Sequence, residues 1–245
     1  VLAPGGRDGY VGSRLVLTNQ AAKLWPTQLT SSLKSASRQP DGWLEQWHAH
    51  RDHLVAALCS ATGHRPEDAL GRIFLWDVIP EYALIILQDK QVDALRATRI
   101  AATGRLWLSD LRRYLDRLID IAARHKGEPA GNLANAILRN DEPLFSVLTP
   151  ENQVAPMTAG TLRNGMPQEL QSVDNFFRHR LNQCLLARRV DPELRHAQLG
   201  WVVSPAHLHA DVSPRAPIDM GRDLGSVIDD VLVQDGWYLP SARKT

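Results

Sequence analysis

Hydrophobic and polar positions follow a helical period over most of the chain and a strand-like pattern over one short central stretch. Residues 18–36 read as a helix, preceded by mixed sequence with Gly5, Gly6 and an apolar run at Leu15 to Leu17. From Asp41 the helical pattern sharpens. Trp43, Leu44, Trp47, Leu54, Val55 and Leu58 share one face, Asp41 is placed to cap the helix, and Thr62-Gly63 to end it. After a second short helical stretch, Trp76–Val78, Tyr82–Leu87 and Leu95–Ile100 read as three short strands. Pro80-Glu81 and Asp89-Lys90-Gln91 supply the turns between them. Helices are expected again over about 105–125, 131–139, 169–188, 191–199 and 222–235, with irregular sequence over 143–168. The 105–125 helix should turn Trp107, Leu111, Tyr114, Leu115, Leu118 and Ile121 inward. These elements imply an α+β class, mostly helical with a small three-stranded antiparallel sheet.

Composition adds bounds. With 245 residues and 44% hydrophobic content, the chain suits one globular domain with a small attached piece, divided here as 1–40 and 41–245. Cys59 and Cys184 both fall in apolar helical patterns, so buried thiols in a reducing cytoplasm are expected. No apolar run has the length of a membrane span and no signal-peptide pattern opens the chain, so no membrane partner is expected. Residue 1 is Val rather than Met, and the chain reads as an excised part of a longer protein. Net charge is only +1, less basic than is usual for a DNA-binding protein. The charge is uneven, however: residues 90–126 carry nine Lys or Arg against four acids, a local excess of +5. Such a run is more often a solvated helix face than a nucleic-acid footprint.

Two segments carry the chemistry. The first is Ala61-Thr62-Gly63-His64-Arg65-Pro66-Glu67-Asp68-Ala69-Leu70, followed by Leu75-Trp76-Asp77-Val78. The second is Phe177-Arg178-His179, continuing through Leu185-Leu186 and Val190-Asp191 to Leu199-Gly200-Trp201. In order and spacing these resemble the catalytic domain of the tyrosine recombinases (phage integrases) over residues 41–214. The resemblance implies a helical domain around a three-stranded sheet, with residues 1–40 a remnant of a helical DNA-clamping domain. It implies duplex DNA as substrate, bound by a homo-oligomer, in recombination or integration of a mobile element, without metal or other cofactor.

By the same resemblance, Arg65 and Arg178 match the two catalytic arginines, Asp68 the supporting acid, and Lys90 the lysine of the sheet's second turn. Trp201 stands where the family has His or Trp. Two guanidiniums suit a pentacoordinate phosphorus because each presents several N–H donors in a planar fork that lysine cannot reproduce. A lysine on a hairpin can protonate the leaving oxygen, and an indole N–H can donate to a phosphate oxygen.

The chain departs from the pattern twice. Asn175 replaces a histidine three residues before Arg178, and an amide can bond a phosphate but cannot shuttle a proton. The stretch Ser204 to Pro214, where the nucleophilic tyrosine is expected, contains none; His209 occupies the best-matching position. Three readings stay open: DNA binding with cleavage lost, attack by another tyrosine, chiefly Tyr238, or attack by His209 or His207. A module that binds DNA or protein without catalysis is the alternative from another class.

Blander readings stand beside these. Arg65 could pair with Asp68 on a helix surface, Arg178 and Arg180 could form a basic surface stripe, and Trp201 could be core. His50 and His53 share a helical face at i and i+3, and a solvated face is expected for them rather than a metal site.

Overall fold

The structure, a computed structural model, describes residues 2–4, 15–38, 42–64, 70–92, 95–171, 175–200 and 217–239. The chain opens with an antiparallel pair, β1 (Leu2–Pro4) and β2 (Leu15–Leu17), and enters α1 (Asn19–Ala36). Thr18 caps α1, its hydroxyl accepting from the Ala21 N–H at 3.1 Å. Ala21, Ala22, Trp25 and Leu29 form the buried stripe. Trp25 packs against Phe177 and Trp237, with ring centroids 5.4 and 6.2 Å away, so α1 shares one core with the rest of the chain.

The central element is α2 (Trp43–Thr62). Every residue from His53 to Thr62 is buried, the signature of a helix enclosed on all sides. It is enclosed by α1, by α3 (Arg105–Arg124), by α7 (Phe176–Ala187) and by α9 (Pro217–Gln234). Its N-cap is Gly42 rather than Asp41, which lies outside the described residues. Two buried indoles have their polar atom bonded. The Trp47 indole N–H donates to the Tyr114 hydroxyl at 3.0 Å, and that of Trp107 to the Leu54 carbonyl at 2.9 Å.

The expected sheet is present, as β3 (Val78–Ile79), β4 (Leu84–Val92) and β5 (Leu95–Ala102) in antiparallel order. Its boundaries differ from those expected, most clearly at two places. Leu75–Asp77 form a 3-10 turn, held by the Phe74 N–H donating to the Asp77 carboxylate at 2.8 Å, so the first strand starts only at Val78. Lys90 lies within β4, not in a turn. The register passes from Gln88↔Thr98 to Gln91↔Arg96, so Asp89 and Lys90 together oppose the single residue Ala97. That bulge carries the strand on to Val92 where the polar sequence suggested a reversal.

Past the sheet, Gly104 is the N-cap residue of α3, where φ is +78° and an added Cβ would meet the Asp229 carboxylate at 2.4 Å. Only glycine allows that approach, and Asp229 uses it to accept from the Arg105 and Leu106 N–H groups at 3.2 and 2.9 Å. A cap from α9 thus starts α3. Next come α4 (Pro129–Leu138), with proline in its first turn, and β6 (Val147–Leu148) paired with β7 (Val154–Ala155). Helices α5 (Ala159–Asn164) and α6 (Gln168–Gln171) precede α7, and α8 (Pro192–Leu199) follows it. Residues 143–168, expected to be irregular, therefore hold one short helix and a pair of two-residue strands. Cys59 and Cys184 are buried free thiols, both pushed upward in pKa by burial. Among the described residues no helix is long and apolar enough to cross a membrane.

Candidate functional site

The end of α2, the start of α7, the end of α8 and strand β5 meet at one place. Gly63 caps α2 in the left-handed region, φ +62°, its N–H donating to Cys59 O at 2.8 Å. A Cβ there would come within 2.9 Å of the Leu199 side chain and 3.5 Å of the Arg178 Cα, so the turn is packed directly against both later segments. Buried Arg178 donates through Nε to the Gly63 carbonyl at 3.2 Å. Arg99, from β5, donates to the Thr62 carbonyl at 3.0 Å and to the Gln198 carbonyl. Two guanidiniums thus sit on the last carbonyls of α2, where the helix dipole favours positive charge.

Gln198 locks this junction. Its fully buried amide accepts from the Ala102 N–H and donates to the Ala61 and Ala102 carbonyls, each at 2.8 Å. Neither Gln198 nor Arg99 is singled out by the sequence. The available signal was a polar residue inside the apolar pattern ending at Leu199.

Of the residues named by resemblance, Arg65, Asp68, Trp201 and His209 lie outside the described residues. Asn175 is exposed, with φ +53°, immediately before α7 and one helical turn ahead of Arg178. Lys90 is located by its backbone at the β4 bulge. Arg178 and Arg180 do not form a surface stripe: both are buried, and Arg180 donates to Asp235 and to Asn19.

Tyr238 is built into a second cluster. Asp110, buried on α3, accepts from His50 at 3.0 Å, His53 at 3.1 Å, Arg113 at 2.9 Å and the Tyr238 hydroxyl at 3.1 Å. Burial alone would raise the Asp110 pKa. Hydrogen bonds and electrostatic attraction from His50 and His53 outweigh it and hold the carboxyl well below the usual carboxylate range. Burial, then the neighbouring Asp110 charge and the bond to it, push the Tyr238 hydroxyl well above the ordinary phenol value. His53 lies ten residues before Gly63 on α2, about 15 Å along the axis at 1.5 Å per residue, and its ring stands 5.6 Å from that of Tyr238. Within the chain the tyrosine and the Arg178 junction are therefore separate places.

The expected solvated face for His50 and His53 is overturned by the same cluster. Both are buried, and the partner that makes their burial tolerable comes from α3, beyond the reach of any spacing within α2. Their neighbour His48 is pushed down to about 4 by burial and by the Arg51 charge. Its unfolded value of about 6.5 is higher, so the unfolded chain binds more protons between these limits. Stability is fully present above pH 6.5 and is lost as pH falls toward 4. The expected loss is roughly 1–2 kcal/mol after discounting for partial exposure. Urea titrations at pH 7.5 and pH 5 should show it, and His48→Gln should flatten the difference; an unchanged difference contradicts the assignment.

Compared with known proteins, the chain has no significant match to a family model, a curated protein or a solved structure.

Proposed function

We propose that this chain is a DNA-binding protein of the tyrosine-recombinase type, acting in site-specific recombination or integration. In this reading Arg65 and Arg178 hold a phosphodiester, Asp68 steadies a guanidinium, and Lys90, Asn175 and Trp201 complete the pocket. The fold would be that of the recombinase catalytic domain, bound to duplex DNA as a homo-oligomer. One observation carries the reading. Three motifs far apart in sequence, Thr62-Gly63, Arg178 and Leu199-Gly200, pack on one another beside a three-stranded sheet. The Gly63 carbonyl accepts from an arginine 115 residues later in the chain, at the position that the motif order assigns to the second arginine, and this supports the reading.

Binding without cleavage is favoured over attack by Tyr238 because that hydroxyl is buried against Asp110 and held as the phenol. Nicked duplexes that trap covalent intermediates test this. The expected outcome is no protein–DNA adduct resistant to denaturant. An adduct abolished by Tyr238→Phe or His209→Ala would replace the reading with an active recombinase using that nucleophile. Duplex affinity should also fall steeply with salt as phosphate contacts release counterions. An affinity indifferent to salt, together with unaltered function after Arg65→Ala and Arg178→Ala, would point to a protein-binding module.

A further inference from the structure

A cleft of about 560 Å³ lies between the first turns of α2 and the C-terminal half of α3. Trp43 and Gln46 line it from one side, and Arg113, Arg117 and Arg124 from the other, with His125 at its end. Positions 113, 117 and 124 share a face of α3, so part of the basic run of the sequence converges here. The Trp43 and His125 rings pack 4.0 Å apart at 30°. Gln46 is 17 residues before Gly63, about 25 Å along α2 at 1.5 Å per residue. The cleft is therefore separate from the Arg178 junction.

The three arginines are not equivalent. Arg113 is paired with Asp110 at 2.9 Å and Arg124 with Asp120 at 3.4 Å. Half-buried Arg117 makes one hydrogen bond, Nη1 to the neutral Gln46 Oε1 at 3.1 Å. Among the described residues no carboxylate lies within ion-pair distance of it. A guanidinium has five N–H donors, and removing it from water without an anion is costly. Burial accordingly lowers the Arg117 pKa, with the more distant Asp110 and Asp120 only partly opposing. The site is thus set up for an anion. Asp116 and Asp120 in the same lining disfavour a bare polyanion and suit a ligand that also offers hydroxyl or amino donors.

We propose that this cleft binds a nucleoside phosphate, with the phosphate on Arg117 between Arg113 and Arg124 and the base against the Trp43–His125 pair. The volume falls within the usual range for small-molecule sites, roughly 300–1,000 Å³. A free nucleotide and a nucleotide unit of single-stranded DNA share this chemistry.

Calorimetry of the intact chain with ADP, inorganic phosphate and an oligothymidylate tests the proposal. ADP or the oligonucleotide should bind saturably, and phosphate more weakly than either. Arg117→Gln and Trp43→Leu should each weaken binding about tenfold, the effect of one charge-assisted hydrogen bond or one stacked base. Binding of ADP alone identifies a free nucleotide as the source; binding of the oligonucleotide through the same residues identifies a nucleic acid. Arg124 is exposed, so Arg124→Gln should fold and still weaken the ligand, whatever happens to Arg117→Gln. No binding of ADP or oligonucleotide at millimolar concentration overturns the proposal. So does binding that is unchanged in Trp43→Leu and Arg124→Gln.

Discussion

Asp110→Ala should destabilise the chain by about 3–5 kcal/mol, the usual effect of removing one partner from a buried charged cluster. The carboxylate is the shared acceptor for His50, His53 and Tyr238, and alanine strands all three in a buried site. Exposed Arg113 should contribute little to that loss, because water replaces its partner. The effect has a pH signature. The folded pKa of Asp110 is depressed, so its stabilisation is fully present above the unfolded value of about 3.9 and fades as pH falls below it. Urea unfolding at pH 7 measures the main effect. Hydrogen exchange should also show lost protection over 235–238, because Asp110 ties Tyr238 to α3. A loss under 1 kcal/mol would mean that the cluster contributes little beyond apolar packing.

Gln198→Leu should be comparably severe although it keeps the side chain's approximate size. It leaves one buried N–H and two buried carbonyls, at Ala102 and Ala61, without partners. At about 1 kcal/mol or more each, the loss is at least about 3 kcal/mol. Gln198→Glu should do no better, because a carboxylate cannot donate to two carbonyls. Since Gln198 ties the end of α2 to the end of β5, the proposed DNA binding, measured well below the melting temperature, should weaken as well. A stability change within about 0.5 kcal/mol would show that these groups find other partners.

Amphipathic segments were legible in part: the helix expected over 169–188 is divided into α6 and α7, with Asn175 at φ +53° before the second. Helix α3 matches its expected span within a residue, and Trp107, Leu111, Tyr114, Leu118 and Ile121 are buried as the periodicity requires. The three strands were legible as elements but not at their ends. A 3-10 turn took Leu75–Asp77, and a bulge extended β4 through Lys90; neither device leaves a period. The strands β6 and β7 are two residues each, too short for alternation to register.

The site divides the same way. The Thr62-Gly63 turn could be read as a helix stop because glycine is the residue that tolerates its left-handed backbone. The burial of Arg178, His50 and His53 could not, because it depends on Gly63, Asp110 and Tyr238 arriving from distant parts of the chain. A histidine pair at i and i+3 looks the same on paper whether water or a buried aspartate faces it.

In the proposed function Arg178 recognises a DNA phosphate through its planar fork of donors. The most direct measurement of that role is the affinity of a duplex for the unmodified chain and for Arg178→Lys, at low and at physiological salt. Lysine keeps the charge and loses the fork. The expected result is salt-sensitive binding by the unmodified chain and at least about tenfold weaker binding by the variant, with the variant still folded by thermal melting. Absence of duplex binding at low salt, or equal binding by a folded Arg178→Lys, would contradict it.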